Sequence, residues 1–144
     1  MGAHPAQALK IGREMANSQP LSSPRSLCII VADDEQDSVD MLKLLLNDEG
    51  HDVIGLSKGA EVMSAVARFD PDAVVLDIAM PDRSGYEIAK EIRAKYGEVR
   101  PLLIAISGRY KQASDRMLGQ IVGFDHYLVK PYEPNSLLKL LRFC

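Results

Sequence analysis

The sequence has no long apolar run, no excess of basic residues and no secretory leader, and each absence excludes a class of protein. No stretch approaches the roughly 20 apolar residues of a membrane-spanning helix, so we expect no membrane partner. Lys10, Arg13 and Glu14 stand where a signal peptide has its apolar core. The net charge of −3 and the pI near 5.6 argue against direct binding to nucleic acid, because a phosphate backbone attracts basic surfaces.

Cysteine is also scarce, which argues against a disulfide framework or a cysteine metal site. The two cysteines, Cys28 and Cys144, lack the close spacing of metal ligands. Cys28 opens an apolar run, so it is predicted to be a small core residue. This cysteine usage leads us to expect a reducing, cytoplasmic location.

The 144 residues are predicted to divide into an N-terminal extension or linker at 1–25 and one domain at 26–144. A chain of this length has room for one hydrophobic core. The extension is rich in proline and serine, and its only helical pattern, at Ala6–Ala16, is interrupted by Gly12. The chain ends directly after its last predicted helix, so we expect no output domain within it.

From residue 26 onward, short apolar runs alternate with amphipathic segments. The predicted strands are 27–31, 52–56, 73–76, 102–106 and 125–129, and the predicted helices are 38–48, 59–68, 84–95, 111–121 and 134–142. Asp37 is the predicted N-cap of the first helix, and Gly50, Gly97 and Gly123 are predicted stops. This alternation indicates an α/β domain with a parallel sheet and right-handed crossovers. The mixed 52–56 run suits an edge strand.

Polar residues follow four of these runs, at the point where each strand is predicted to end. They are Asp33-Asp34, Asp77, Ser107 and Lys130. Because the carboxyl ends of parallel strands meet at one edge of a sheet, these side chains should lie together, where such sheets bind ligands. Acids beside a lysine and a hydroxyl suggest a divalent metal and a phosphoryl group.

Each of these residues, taken alone, has an ordinary structural explanation. Acids favour the start of a helix, a lysine is usually on the surface, Ser107 suits a turn, and Tyr127 suits strand packing. Together the acids indicate more, since two carboxylates about 4 Å apart repel by roughly 4 kcal/mol at an effective dielectric near 20. Three of them should raise one another's pKa or bind a cation. Oxygen ligands favour Mg²⁺ as that cation.

The most specific stretch runs from Asp77 to Gly85, with the pattern D-x-x-M-P-x-x-x-G. Together with the acid pair, Ser107-Gly108 and Lys130-Pro131, in this order and spacing, it resembles the receiver domain of two-component response regulators over about residues 27–143. The resemblance implies a flavodoxin-like, doubly wound sheet of five parallel strands in the order 2-1-3-4-5, with helices on both faces.

The same resemblance implies a role for each acid and for the lysine. Asp77 is similar to the phosphoacceptor, and a carboxylate is a competent phosphoryl nucleophile. Asp34, Asp77 and the Ala79 carbonyl resemble the direct magnesium ligands, and Asp33 resembles the acid that acts through water. Lys130 resembles the lysine that contacts the phosphoryl group. The bond from Lys130 to Pro131 resembles one that is usually cis, which proline allows.

The resemblance also implies a switch and its partners. Ser107 and Tyr127 resemble the switch hydroxyl and aromatic, which would change the surface around 111–142 after phosphorylation. A histidine kinase or phosphotransfer protein is the implied donor, the downstream protein effector is unknown, and a homodimer stays open. Residues 123–131 look most like receivers of hybrid histidine kinases. Ala79 and Arg109 lie at positions that set phosphoryl lifetime in this family, and neither is diagnostic.

Two other functions stay in competition with the phosphorylated receiver. A pseudo-receiver would use the same fold as an interaction module without phosphorylation, although the acids and the lysine are all present. A phosphohydrolase of the haloacid-dehalogenase type would also use an aspartyl nucleophile, but it needs a second acid where this chain has Ala79. We therefore expect no enzyme in the usual sense, only a protein that catalyses its own phosphorylation and dephosphorylation.

Overall fold

A computed structural model describes residues 25–108 and 122–144. Within these ranges, no helix is long and apolar enough to cross a membrane. The predicted helices at Ala6–Ala16 and 111–121, and Arg109, lie outside the described residues. The division into an extension at 1–25 and a domain at 26–144 also stays a prediction.

One sheet of five parallel strands forms the centre of the domain, in the order β2-β1-β3-β4-β5. The strands are β1 (Cys28–Ala32), β2 (Asp52–Leu56), β3 (Ala73–Asp77), β4 (Leu102–Ser107) and β5 (His126–Val129). The predicted flavodoxin-like topology is confirmed. The mixed 52–56 run forms an edge strand as expected, and the apolar runs of β1, β3 and β4 are almost wholly buried.

Helices cover both faces of this sheet. They are α1 (Gln36–Asp48), α2 (Val62–Phe69), α3 (Gly85–Tyr96) and α4 (Pro134–Leu141), and a 3₁₀ turn at Gly59–Glu61 leads into α2. Because successive strand residues point to opposite faces, the core has two halves. One half packs under α2 and α3 around Ile30, Leu76, Leu103, Val62, Ile88 and Ile92. The other half packs under α1 and α4 around Val31, Val75, Ile104, Leu46, Leu137 and Leu141.

The start of α1 differs from the prediction. The helix begins at Gln36 with Glu35 as its N-cap, so Asp37 lies in the first turn and is not the cap. The reason is a contact formed earlier in the chain: the Glu35 N–H donates to Asp33 Oδ1 at 3.0 Å, which fixes the turn before the helix. Asp37 is still favourable where it is, because negative charge stabilises a helix N-terminus.

The predicted glycine stops are confirmed for the two described helices that had one. α1 is followed by Gly50 with φ of 91°, and α3 by Gly97 with φ of 92°. A side chain at these positions of positive φ would be strained, whereas glycine ends each helix without this strain. Gly123 also has a positive φ, of 111°, but the helix predicted before it lies outside the described ranges.

The amino end of the sheet is held by side chains as well as by backbone pairing. Three residues that directly precede strands accept N–H groups at the start of neighbouring strands. The pairs are Leu27 with His51 at 3.0 Å, Cys28 with Asp72 at 2.8 Å and Leu103 with Asp125 at 2.8 Å. Cys28 itself is buried, as predicted. These bonds fix the register of the strands that lead to the opposite edge.

Candidate functional site

The carboxyl edge of the sheet brings together the three acids that the sequence singled out. Asp33, Asp34 and Asp77 each place one carboxylate oxygen within 4.8 Å of the others. Asp33 and Asp77 are buried, whereas Asp34 is exposed. β3 extends one residue further than predicted, so Asp77 is the last residue of the strand. This set of oxygen donors fits a hard divalent cation, with Asp34 on the solvent side.

Asp33 is the most constrained of the three acids, because both of its oxygens are bonded. Oδ1 accepts the N–H of Glu35, and Oδ2 accepts the ammonium of Lys130 at 2.8 Å. Only 3% of its side chain is exposed. Asp33 therefore joins the end of β1, the start of α1 and the residue after β5 in one place.

Lys130 lies among three carboxylates. Its Nζ is 2.8 Å from Asp33, 3.6 Å from Glu35 and 3.8 Å from Asp77. Burial lowers the pKa of Lys130, but the hydrogen bond and charge of Asp33, with the charges of Asp77 and Glu35, raise it above its ordinary value. The lysine is therefore a permanent cation here. The predicted cis bond between Lys130 and Pro131 is present.

Asp77 has the most perturbed carboxyl group of the site. Burial raises its pKa to about 6, and the charge of Asp33 adds to that increase. The Ala79 N–H, which donates to Asp77 Oδ1 at 3.0 Å, and the charge of Lys130 oppose it. The negative charge of Asp77 is thus poorly compensated by the protein. A bound cation would supply that compensation.

A tight loop from Asp77 to Gly85 presents this carboxylate. The Gly85 N–H donates to the Ile78 carbonyl at 3.0 Å, which folds the start of α3 back onto the end of β3. A Cβ at Gly85 would lie 2.8 Å from Ile78 Cα and 2.9 Å from the Asp77 carbonyl oxygen. Only glycine permits this approach, which explains the glycine of the motif. Ile78 and Met80 are buried and anchor the loop in the core.

Two residues near the site were missed by the sequence reasoning. One is Glu35, the third acid facing Lys130. The other is Asp82, whose carboxylate accepts the N–H groups of Gly59 and Ala60 at 3.0 and 2.8 Å. These bonds, that from Ala60 first, hold the pKa of Asp82 below its ordinary value. Two features of the sequence could have indicated Asp82. It is an acid in the loop after β3, and the turn at Gly59–Glu61 has no capping side chain of its own.

The two predicted switch residues lie on neighbouring strands but at different heights. Ser107 is the last residue of β4 and is fully buried, with its hydroxyl 3.4 Å from the Gly108 carbonyl. Tyr127 pairs with Ala105, two residues earlier along β4, and packs against the core half under α2 and α3. Because side chains alternate along a strand, Ser107 and Ala105 face the same side of the sheet. The switch roles of Ser107 and Tyr127 stay predictions.

Comparison with known proteins places this geometry in a family. The model of the response regulator receiver domain matches residues 29–142. Among solved structures, the chemotaxis protein CheY4 of Vibrio cholerae is 24% identical, with a TM-score of 0.75 over 82% of this chain and 98% of that chain. The activated receiver domain of Klebsiella pneumoniae RstA is 22% identical, with a TM-score of 0.74 over 81% and 96%.

A third similar structure is the beryllofluoride-activated NtrC4 receiver domain dimer. It is 21% identical, with a TM-score of 0.73 over 81% of this chain and 93% of that chain. These likenesses show the fold, and the family match, which covers most of the chain, shows the family. The chain belongs to the receiver domain family of two-component response regulators.

Proposed function

We propose that Asp77 accepts a phosphoryl group from a histidine kinase or phosphotransfer protein, with Mg²⁺ bound by the neighbouring acids. The observation that carries this proposal is the convergence of Asp33, Asp34, Asp77 and Lys130 at one edge of a receiver fold. A purely structural cluster would have little reason to keep a buried, poorly compensated carboxylate at a strand end. The haloacid-dehalogenase alternative finds no support in the family match.

The chemistry follows from the ionisation of Asp77. With its pKa raised to about 6, the carboxylate is mostly ionised above pH 7 and can act as a nucleophile. One oxygen forms a bond to phosphorus while the bond from phosphorus to the donor nitrogen breaks, and the donor keeps the electron pair. The product is an acyl phosphate. Lys130, 3.8 Å from Asp77 Oδ2, is close enough to pair with a transferred oxygen.

Magnesium fits the donor set and would neutralise negative charge around the transferred group. Asp34 and Asp77, with the Ala79 carbonyl, are the proposed direct ligands, and Asp33 would act through water. The ammonium of Lys130, which donates to Asp33 Oδ2, holds that carboxylate in place. The protein itself contributes mainly positioning, as expected for phosphoryl transfer.

Phosphorylation should act as a switch of a protein surface. Ser107 would turn toward the acyl phosphate, and Tyr127 would move into the space it leaves, which shifts a population and keeps the fold. The protein would then catalyse only its own phosphorylation and dephosphorylation, in the cytoplasm. Its effector is unknown, self-association to a homodimer is a further proposal, and so is an origin in a hybrid histidine kinase. No observation favours the pseudo-receiver.

Intact mass spectrometry after incubation with a small acyl phosphate and Mg²⁺ tests the proposal. We expect one added phosphoryl group in the parent chain and none in Asp77→Asn. Asp40→Asn is the matched control, because Asp40 is an exposed acid of α1 away from the cluster, and it should be phosphorylated like the parent. Equal phosphorylation of Asp77→Asn, or none in any chain, would contradict the assignment.

A further inference from the structure

The carboxylate of Asp82 joins the loop after β3 to the start of α2. Its Oδ1 accepts the N–H of Gly59 at 3.0 Å, and its Oδ2 accepts the N–H of Ala60 at 2.8 Å. Hydrogen bonds from N–H groups to an ionised carboxylate are roughly twice as strong as those between neutral groups. Since these bonds, that from Ala60 first, hold the pKa of Asp82 below its ordinary value, the connection is present throughout the neutral pH range.

The start of α2 is a firm anchor for this connection. Gly59 is buried, and a Cβ there would lie 3.1 Å from Ile88 Cδ1 and 3.2 Å from the Arg83 carbonyl oxygen. The turn therefore packs directly against the loop and α3. Val62, at the first position of α2, is fully buried in the core half under α2 and α3. The backbone that donates to Asp82 cannot move without disturbing this core.

The loop held in this way contains Ala79, whose carbonyl is a proposed ligand of Mg²⁺. Ala79 is exposed, so packing of its own side chain does not fix it. Its neighbour Met80 is buried, but an unbranched side chain adapts to the space around it and constrains the backbone only loosely. Asp82 lies three positions after Ala79, and its two directed bonds add a constraint that packing does not supply.

We infer that Asp82 is a positioning residue of the phosphorylation site: by binding the backbone of Gly59 and Ala60, it fixes where Ala79 presents its carbonyl to the cation. Asp82 is not one of the three clustered acids, so it acts through the shape of the loop. The effect on Mg²⁺ rests on the proposed function, whereas the effect on the position of Ala79 does not.

Two substitutions break the connection from opposite sides. Asp82→Ala removes the acceptor. Ala60→Pro removes one donor without changing a charge, and proline is tolerated in the first turn of a helix because an N–H there has no partner within the helix. In nitrogen-labelled chains without Mg²⁺, both should shift the amide signal of Ala79. Glu61→Gln is the matched control, because it removes an exposed acid from the same turn and leaves the connection intact, and it should leave that signal in place.

Isothermal titration with Mg²⁺ measures the consequence for the metal. Asp82→Ala should weaken Mg²⁺ binding about tenfold, as expected when a residue that supports a metal ligand is lost. Ala60→Pro should weaken binding less, because the Gly59 N–H is still bound, and it should have no further effect in Asp82→Ala, because both substitutions act on one connection. Asp82→Asn keeps one acceptor oxygen without the charge, so it should also lose less than Asp82→Ala.

An Ala79 signal that Ala60→Pro leaves in place would overturn the inference. If Asp82→Ala and Asp82→Asn weakened Mg²⁺ binding equally while Ala60→Pro did not, Asp82 would act through its charge and not through the loop. Additive effects of Asp82→Ala and Ala60→Pro would also contradict a shared connection. A parent chain that binds no Mg²⁺, but whose Ala79 signal responds to both substitutions, would overturn the proposed function and leave the positioning role intact.

Discussion

Lys130 donates to Asp33 at 2.8 Å, while its distance to the Asp77 carboxylate is 3.8 Å. The Lys130 ammonium therefore pairs more closely with Asp33 than with Asp77, the proposed phosphoacceptor. In the unphosphorylated state the lysine balances the buried charge of Asp33, and Asp77 is left less compensated. The contribution of each charged residue to the site can therefore be tested by single substitutions.

Replacement of Lys130 should expose the repulsion among the acids. In Lys130→Met, we expect the free energy of unfolding to fall by about 1–2 kcal/mol near pH 8 without Mg²⁺, because Asp33 loses its partner and the lysine is partly exposed. The Mg²⁺ affinity should rise, since a competing cation has been removed. Urea unfolding and isothermal titration measure the two effects. Weaker Mg²⁺ binding by Lys130→Met would show that the lysine helps to build the metal site.

The raised pKa of Asp77 predicts a specific pH dependence of stability. Its folded pKa of about 6 exceeds the ordinary 3.8, so the folded state takes up a proton and stability falls as pH rises through this window. Asparagine does not ionise, so Asp77→Asn should not lose stability in this pH range. Without Mg²⁺, the variant should be more stable than the parent by about 2–3 kcal/mol near pH 8, with the difference vanishing near pH 4.

Urea unfolding at several pH values measures this difference, with Asp40→Asn as a control that should track the parent. Saturating Mg²⁺ should stabilise the parent more than Asp77→Asn, so the difference between their free energies of unfolding should become smaller. A parent whose stability rises between pH 4 and pH 7 relative to Asp77→Asn would mean that the carboxylate is stabilising, against the sign given above.

Asp34 is expected to matter for the metal and little for the fold. It is exposed, so Asp34→Ala should keep the stability of the parent within about 0.5 kcal/mol. It should lose at least about tenfold in Mg²⁺ affinity, because one of few carboxylate ligands is gone. NMR titration with Mg²⁺ measures both affinity and folding, and Asp37→Ala serves as an exposed acid outside the cluster. Equal affinities of Asp34→Ala and the parent would remove Asp34 from the ligand set.

Gly85 is predicted to be essential for the shape of the phosphoacceptor loop. In Gly85→Ala the new Cβ would collide with the backbone of Asp77 and Ile78, so we expect a loss of about 1–3 kcal/mol in stability and slower phosphorylation of Asp77. Gly108→Ala is a matched control at the same edge, because among the described residues a Cβ there meets nothing within 4 Å. If the two substitutions had the same effect on stability and phosphorylation, the loop would be able to accept a side chain at Gly85 without loss of stability.

The proposed switch predicts where phosphorylation changes the surface. With beryllofluoride and Mg²⁺, amide shifts should be larger at 108–132 than at 57–70, because Ser107 directly precedes the first of these ranges in sequence and Tyr127 lies within it. Moving a two-state switch from 1:99 to 99:1 needs about 5.5 kcal/mol, whereas each charge-assisted hydrogen bond to the phosphoryl group supplies only about 1.5–3 kcal/mol. Incomplete switching is therefore expected. Shifts confined to the surroundings of Asp77, with Tyr127 unmoved, would favour the pseudo-receiver.

The sequence was sufficient to predict the features that depend on local pattern. The parallel α/β sheet, the meeting of Asp33, Asp34 and Asp77, and the stop at Gly50 follow from apolar periodicity, motif spacing and backbone preference, whereas the strand order was implied by the resemblance to receiver domains. Features set by contacts between distant residues could not be read in this way. Asp82 binds the amides of Gly59 and Ala60, more than twenty positions earlier, and no local pattern encodes such a pairing.

The start of α1 was misplaced for a related reason. The sequence around Asp37 suits an N-cap as well as a first turn, so local chemistry leaves both positions open. The choice was made by Asp33, whose carboxylate is held by Lys130 across 97 positions of sequence and accepts the Glu35 N–H. The same ion pair between Lys130 and Asp33 keeps the ammonium closer to Asp33, at 2.8 Å, than to Asp77, at 3.8 Å.

The side-chain bonds at the amino end of the sheet have a consequence for motion. His51, Asp72 and Asp125 each clamp a neighbouring strand where it begins, so sliding of one strand past another would break bonds at that end first. The strand register is therefore held at the end of the sheet opposite to the acid cluster. A charge that arrives at the cluster can displace loops and side chains there while the strand register, and with it the fold, stays the same.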